Sequence, residues 1–280
     1  MTFKTFIKKH AVAVYGILTI SASWLVWSRI LTILEPGELL SGPSSEAMIY
    51  VALGGIVPSL TGVLMTAYLE GFKGLRELWA RVTNWKMNPW LFLAACLPLF
   101  MTLASYWLQK MLGIGSASPD ILNKIPAGLG IGFFAALGEE FGWRGFALPR
   151  LRQRYSPLTA GLLVGLLWGG WHIYPDYIGL GNWGWLSAPI IFILGPVLLT
   201  IFAVIMAWLH EKSQNSMLLM MLFHLNISSA AFYLARETNT YAEQLMSSVV
   251  TPLIGLLVIA VILVTQTRRH KPALRAVAVK

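Results

Sequence analysis

An all-α, polytopic membrane protein of about eight transmembrane helices is predicted by three features of the sequence. Its 280 residues are 56% hydrophobic and only 12% charged, with a mean hydropathy of +0.66, well beyond a soluble domain of this length. The apolar residues fall into runs of roughly twenty, the length needed to cross a bilayer core of about 30 Å. Lys and Arg gather on alternate connecting segments, with 17 of the 21 on one side of the predicted membrane. No polar stretch is long enough for a separate soluble domain, so residues 1–280 read as a single transmembrane helical domain.

Lys4, Lys8 and Lys9 precede the first span, about Ala11 to Leu34. That run is too long for a signal-peptide core and lacks a convincing cleavage site. Glu35, Glu38 and Glu46 follow without a base and mark the outer side. The second span, about Ala47 to Leu69, contains Pro58 and returns the chain to Lys73, Arg76, Arg81 and Lys86. Leu75, Leu78, Trp79 and Val82 recur there at helical spacing, which predicts an amphipathic helix on the inner surface. A third span, about Trp90 to Met111, leads into the loop around Gly113 to Asn123. The fourth starts near Pro126 and emerges at Arg150, Arg152 and Arg154.

Span five, about Pro157 to Tyr174, leaves through the Trp- and Gly-rich turn Gly181 to Leu186, the composition of an interfacial aromatic belt. Span six, about Pro189 to Leu209, includes Pro196 and ends at His210-Glu211-Lys212. Span seven, about Met217 to Leu234, contains His224, and span eight, about Val249 to Thr265, precedes Arg268, Arg269, Lys271, Arg275 and Lys280. An even number of spans puts both termini on one side. The basic segments make that side cytoplasmic, N-in and C-in, in a cell inner or plasma membrane. The net charge of +9 is accordingly a topology signal, and the expected partner is the lipid bilayer rather than nucleic acid. Cys96 is the only cysteine and can form no internal disulfide. Pro58 and Pro196 are read as prolines tolerated within membrane spans.

Charge inside span four marks the chemistry. Gly138-Glu139-Glu140-Phe141-Gly142-Trp143-Arg144-Gly145 ends the apolar run Ile131–Leu137. An acid at mid-span costs about 2.5–3.5 kcal/mol on insertion scales, so ionisable residues there default to functional hypotheses. Glu140 and Arg144 are four apart on one helical face, in the favourable order for an ion pair, whereas Glu139 points about 100° away. Glu140 and His172 are both 16 residues from Ser156, so a helical hairpin turning there brings them to similar depth. His224 lies eight residues after Ser216, about 12 Å into its helix.

These three groups are expected to meet in a cavity toward the inner side, and the chemistry they permit is hydrolysis. Glu140 would take a proton from water as general base. His172 would orient that water or donate to the leaving amine, and His224 would stabilise the oxyanion. The same Glu140, His172 and His224 are an alternative zinc-ligand set. No HExxH and no dense His/Cys cluster is present, however, and the expectation is no cofactor. A Ser/His/Asp triad is disfavoured because GxSxG is missing and Asp176 falls near the outer surface. His10, His210 and His270 lie at span ends and are given no role.

Three motifs carry a family resemblance. Glu139-Glu140 with Arg144 matches EExxxR. Trp168-Gly169-Gly170-Trp171-His172 looks like FxxxH with Trp in place of Phe, and His224 follows at the expected interval. Their order resembles the CAAX protease and bacteriocin-processing (CPBP) family of intramembrane proteases, which includes the type II CAAX prenyl endopeptidases, with a family-like core at about 89–235. The resemblance implies an eight-helix core and an endopeptidase that hydrolyses a peptide bond near the cytoplasmic side, acting on a peptide or membrane-protein substrate. It implies Glu140 as the water-activating residue, His172 as its partner and His224 in the oxyanion hole; from the residues themselves, Glu139 is read as a structural or pKa-tuning neighbour and Arg144 as the anchor of that helix face. One position departs. The family usually has Asn four residues after the third-motif His, where this chain has Ser228; Asn226 lies about 200° around the helix from His224. Two alternatives follow: an inactive CPBP-type adaptor or immunity protein that binds through the polar cavity, or a proton- or cation-coupled transporter.

Overall fold

The computed structural model describes residues 2–36, 44–85, 88–118 and 120–277, so Glu38, Lys86 and Lys280 lie outside the described residues. Among the described residues the regular structure is helical, with an isolated bridge pairing Ser116 and Glu237. Helices α1 (Phe3–Lys9) and α2 (Ala11–Trp27) are followed by α3 (Ser45–Val82), α4 (Trp90–Ala95), α5 (Leu97–Met111), α6 (Ile121–Gly142) and α7 (Leu148–Arg152). After these come α8 (Pro157–Leu180), α9 (Gly195–Lys212), α10 (Met217–Tyr233) and α11 (Tyr241–Val277). Every predicted span coincides with helix, and the protein is an all-α integral membrane protein. Among the described residues five stretches are long and apolar enough to cross a bilayer, and Met217–Tyr233 is a shorter apolar helix. Span three breaks at Cys96, before Pro98. Span five is not among the five, diluted by the Gly, Trp and His residues at 168–172.

The predicted amphipathic segment is the distal arm of α3. Gly71, at φ +65°, turns the chain between the membrane part and this arm. Leu78 is buried against the protein and Trp79 stays exposed.

Proline explains much of the interhelical bonding. A proline inside a helix cannot donate to the carbonyl four residues earlier, and in a membrane that carbonyl must find another donor. Pro58 frees Gly54 O, which accepts from Ser23 Oγ at 2.9 Å. Pro175 frees Trp171 O, which accepts from Trp24 Nε1 at 3.0 Å. Pro149 frees Gly145 O, which accepts from Arg81 Nη1 at 3.3 Å. Two neighbouring residues of α2 thereby tie α3 to α8. Pro196 follows a π-helical turn, Ile190–Leu194, in which Gly195 N–H reaches back to Ile190 O.

The closest helix pair is α8 with α9. Gly161, Gly165 and Gly169 recur every four residues on α8, and a β-carbon at Gly165 would lie 2.5 Å from Thr200 Cα. Small residues at that spacing let membrane helices approach backbone to backbone. Helix α10 crosses α6 in a similar way, with Ser229 Oγ donating to Gly128 O at 2.9 Å. The α10–α6 crossing brings His224 to the glutamates of α6, and Trp168 reaches Glu139 from α8.

Candidate active site

Glu139 is 5% exposed and Glu140 is fully buried. Glu140 Oε1 accepts from Arg144 Nη1 at 2.8 Å and lies 2.6 Å from His224 Nδ1. Glu139 Oε2 accepts from Trp168 Nε1 at 2.7 Å and from Trp143 Nε1 at 3.3 Å. Its other oxygen, Oε1, sits 3.7 Å from His224 Nε2, too far for a hydrogen bond. One imidazole thus stands between two carboxylates. An Nδ1–H donated to Glu140 fixes the ring and turns Nε2 toward Glu139.

Arg144 is wholly buried, and its guanidinium carbon lies 4.4 Å from the Trp168 ring centroid, a cation–π contact that adds to the ion pair. Arg144 Nε and Nη2 and Glu140 Oε2 are buried with no hydrogen-bond partner among the described residues.

The backbone beneath the carboxylates departs from a regular α-helix. Ser59 Oγ, from α3, donates to Leu137 O at 2.7 Å and accepts from Phe141 N–H at 3.2 Å. These two groups form the rung that brackets both glutamates, so the hydroxyl enters the ladder at that point. A π-helical turn, Trp143–Ala147, follows, in which Leu148 N–H reaches Trp143 O; such turns are frequent at functional sites. Tyr15 of α2 packs edge-on against Trp143 and also touches Phe146, closing the site from the other side.

His172 stands apart from the cluster. Its Nδ1 is 3.3 Å from Asp176 Oδ1, and its ring lies one helical turn beyond Trp168, with centroids 6.1 Å apart. It lines a cavity of about 450 Å³ together with Gln109, Asp176, Ser228 and Arg236. The cavity lies toward the ends of α5, α8 and α10, the half of the bundle away from Arg150 and Arg152. The sequence expectation of a single cavity on the basic side is thus corrected in two respects. Glu140 and His224 do meet, but His172 lies one turn farther along, and the cavity it lines faces the opposite end. The hairpin count fails because the chain does not turn at Ser156 alone: α7 ends at Arg152 and α8 begins at Pro157, which centres the turn ahead of Ser156. Glu140 therefore reaches the level of Trp168 rather than His172.

Asn226 is committed elsewhere, donating to Leu222 O at 2.9 Å and Ala95 O at 3.3 Å, whereas Ser228 faces the cavity. Among the described residues no three His, Cys, Asp or Glu side chains are grouped as metal ligands. Sequence reasoning passed over Trp168, Asp176, Trp143 and Ser59 as members of the site. Trp168 and Asp176 were detectable as the residues one turn before and after His172. Trp at 168 supplies an N–H that Phe lacks, and that N–H holds Glu139. Nothing local marks Ser59.

A family model described as Type II CAAX prenyl endopeptidase Rce1-like matches residues 121–230. The chain is 26% identical over 114 residues to the CAAX prenyl protease 2 of Methanococcus maripaludis, an alignment that covers 38% of this chain. It spans 40% of that relative's length. The matched segment, less than half of the chain, holds Glu139, Glu140, Arg144, Trp168, His172 and His224, and it is in this segment that the chain is similar to the type II CAAX prenyl endopeptidases.

Proposed function

We propose that this protein is an intramembrane endopeptidase that cleaves a peptide or membrane-protein substrate with a carboxylate-activated water and no bound metal. The observation that carries this reading is the pair of adjacent buried carboxylates sharing one imidazole, beside a cavity walled by a second imidazole. Glu140 is neutralised by Arg144 and committed to His224 through Oε1. Glu139 is held by two indoles through Oε2; each carboxylate keeps one oxygen without a hydrogen bond, but that of Glu140 is fully buried beside Arg144, whereas Glu139 has no arginine partner and is 5% exposed. Glu139 is therefore the better placed general base, and Glu140, the base expected from sequence, serves to orient His224.

His172, with Nδ1 held by Asp176, keeps Nε2 for the water or the leaving amine. With both ring nitrogens protonated, His224 donates Nδ1–H to Glu140 and keeps Nε2–H for an oxyanion, and the Ser228 hydroxyl, one turn along α10, is the second donor. A serine reaches less far than an asparagine and offers one proton instead of two. The indoles and Tyr15 keep bulk water from the carboxylates, which strengthens every electrostatic contact inside.

The direct test is cleavage of a fluorogenic membrane peptide by the purified protein. His172→Ala is expected to lower kcat by about 10²-fold or more, with cleavage unaffected by chelators. Restoration of a chelated protein by added Zn²⁺ would overturn the metal-free assignment. A wild-type protein that binds but never cuts such peptides would favour the adaptor reading.

Ser59 supplies a second check on the same reading. Ser59→Ala lets the Leu137–Phe141 rung close and turns both carboxylates, so activity should fall about tenfold or more. Stability should drop by only about 1 kcal/mol, one hydrogen bond's worth. Ser59→Thr, which retains the hydroxyl, should recover much of the rate. Equal loss in the Ala and Thr variants would count against the positioning role.

A further inference from the structure

At the basic end of the bundle, Lys8, Lys9, His10, Arg150 and Arg154 converge on a crevice of about 580 Å³. They come from separate parts of the chain: the α1–α2 junction and the segment at and after α7. A carboxylate from α3, Glu70, also lines the crevice, but it is paired with Arg150. Arg150 is held further by its bond to Phe146 O at 2.9 Å. Lys8, Lys9 and Arg154 form no ion pair among the described residues, and their side chains are exposed. Orientation by positive charge requires only that bases lie on one side. It does not require them to surround a common space.

We propose that this crevice binds the phosphate group of an anionic phospholipid. The floor favours a lipid over a soluble phosphate. Val12, Leu69 and Leu151 line the crevice beside the charges, and they lie where the apolar helices begin or end, at the level of the headgroups. Helix α1 supports the same placement. Thr2 caps it, Lys8 and Lys9 occupy its last turn, and Phe3 and Phe6 are exposed on it, the composition of an interfacial helix. A headgroup phosphate over Lys8, Lys9 and Arg154 would meet three cations not otherwise neutralised. An acyl chain could then descend along Val12 and Leu69.

Each Lys or Arg near an anionic surface contributes a factor of about five to binding. The probe is dioleoylphosphatidylglycerol, titrated against dioleoylphosphatidylcholine into the purified full-length protein in detergent, with bound lipid counted by native mass spectrometry. Phosphatidylglycerol is expected to be retained preferentially. Lys8→Gln, Lys9→Gln and Arg154→Gln should each weaken it about fivefold, and the triple variant about a hundredfold. Lys110→Gln with Lys124→Gln, at the other end of the bundle, should leave it unchanged. Competition by inorganic phosphate alone would keep the crevice as the site and identify a soluble phosphate as its source. Equal retention of the two lipids, or unchanged phosphatidylglycerol affinity in the triple variant, would overturn the proposal.

Discussion

Glu139→Gln is expected to reduce kcat by about 10²–10⁴-fold while leaving the melting temperature of the purified protein near that of the wild type. The amide oxygen of Gln can still accept from Trp143 and Trp168, so the packing around position 139 survives and only the proton-accepting oxygen is lost. Glu140→Gln should behave differently. It leaves the fully buried Arg144 without its counter-charge, and a buried charge stripped of its partner is strongly destabilising. A lower melting temperature should therefore accompany whatever activity is lost. Parallel measurement of kcat and thermal unfolding for the two variants separates the roles. If Glu140→Gln abolished cleavage at unchanged stability while Glu139→Gln still turned over, Glu140 would be the base and the assignment made here would be reversed.

Arg144→Met carries the largest expected effect on stability. Both partners of the Arg144–Glu140 pair are 0% exposed, at 2.8 Å, and removing one member of such a pair typically costs about 3–5 kcal/mol. The cation–π contact with Trp168 disappears at the same time. The double variant Glu140→Gln/Arg144→Met leaves no uncompensated charge, and a well-packed neutral replacement of a buried ion pair is often close to neutral. Its stability should therefore exceed that of Arg144→Met alone, which makes the two substitutions strongly non-additive in a double-mutant cycle. Reversible unfolding in mixed micelles measures this. A single variant within about 1 kcal/mol of wild type would show that the pair is not what holds α6 in place.

The weakest part of the proposed oxyanion hole is equally open to inspection. Ser228 faces the cavity and Asn226 is bonded to backbone carbonyls of α10 and α4, so the amide nearby in sequence does not replace the one the family usually carries. The side of the membrane on which the cavity opens is a separate matter. With N-in, C-in topology the ends of α5, α8 and α10 face outward, whereas the family resemblance implies a site toward the cytoplasm. Labelling of single cysteines placed at either end of α8 in intact cells would decide between them.

Much was legible without coordinates because the relevant physics is local. The eight apolar segments follow from hydropathy and length, the Glu140–Arg144 pair from a four-residue spacing, and the amphipathic arm after Leu69 from helical periodicity. The motif residues His172 and His224 were identifiable by order along the chain. Depth was harder to read, since counting residues from Ser156 puts the turn at its last residue, whereas α7 already ends at Arg152. The prolines were visible as well, but not the residues that answer them. Nothing near Ser23, Trp24 or Arg81 in the sequence indicates that each donates to a carbonyl freed by a proline on another helix.

The sequence by itself determined the fold class, the membrane setting, the resemblance to a protease family and the short list of ionisable groups, because hydrophobicity and motif spacing are properties of the chain. Only the tertiary structure decided which of those groups are bonded to one another. Which oxygens of Glu139 and Glu140 are bonded depends on Trp168 from α8 and His224 from α10, and the backbone beneath them is held by Ser59 from α3. Hydrogen bonding in a water-poor interior is set by those neighbours, not by position along the chain.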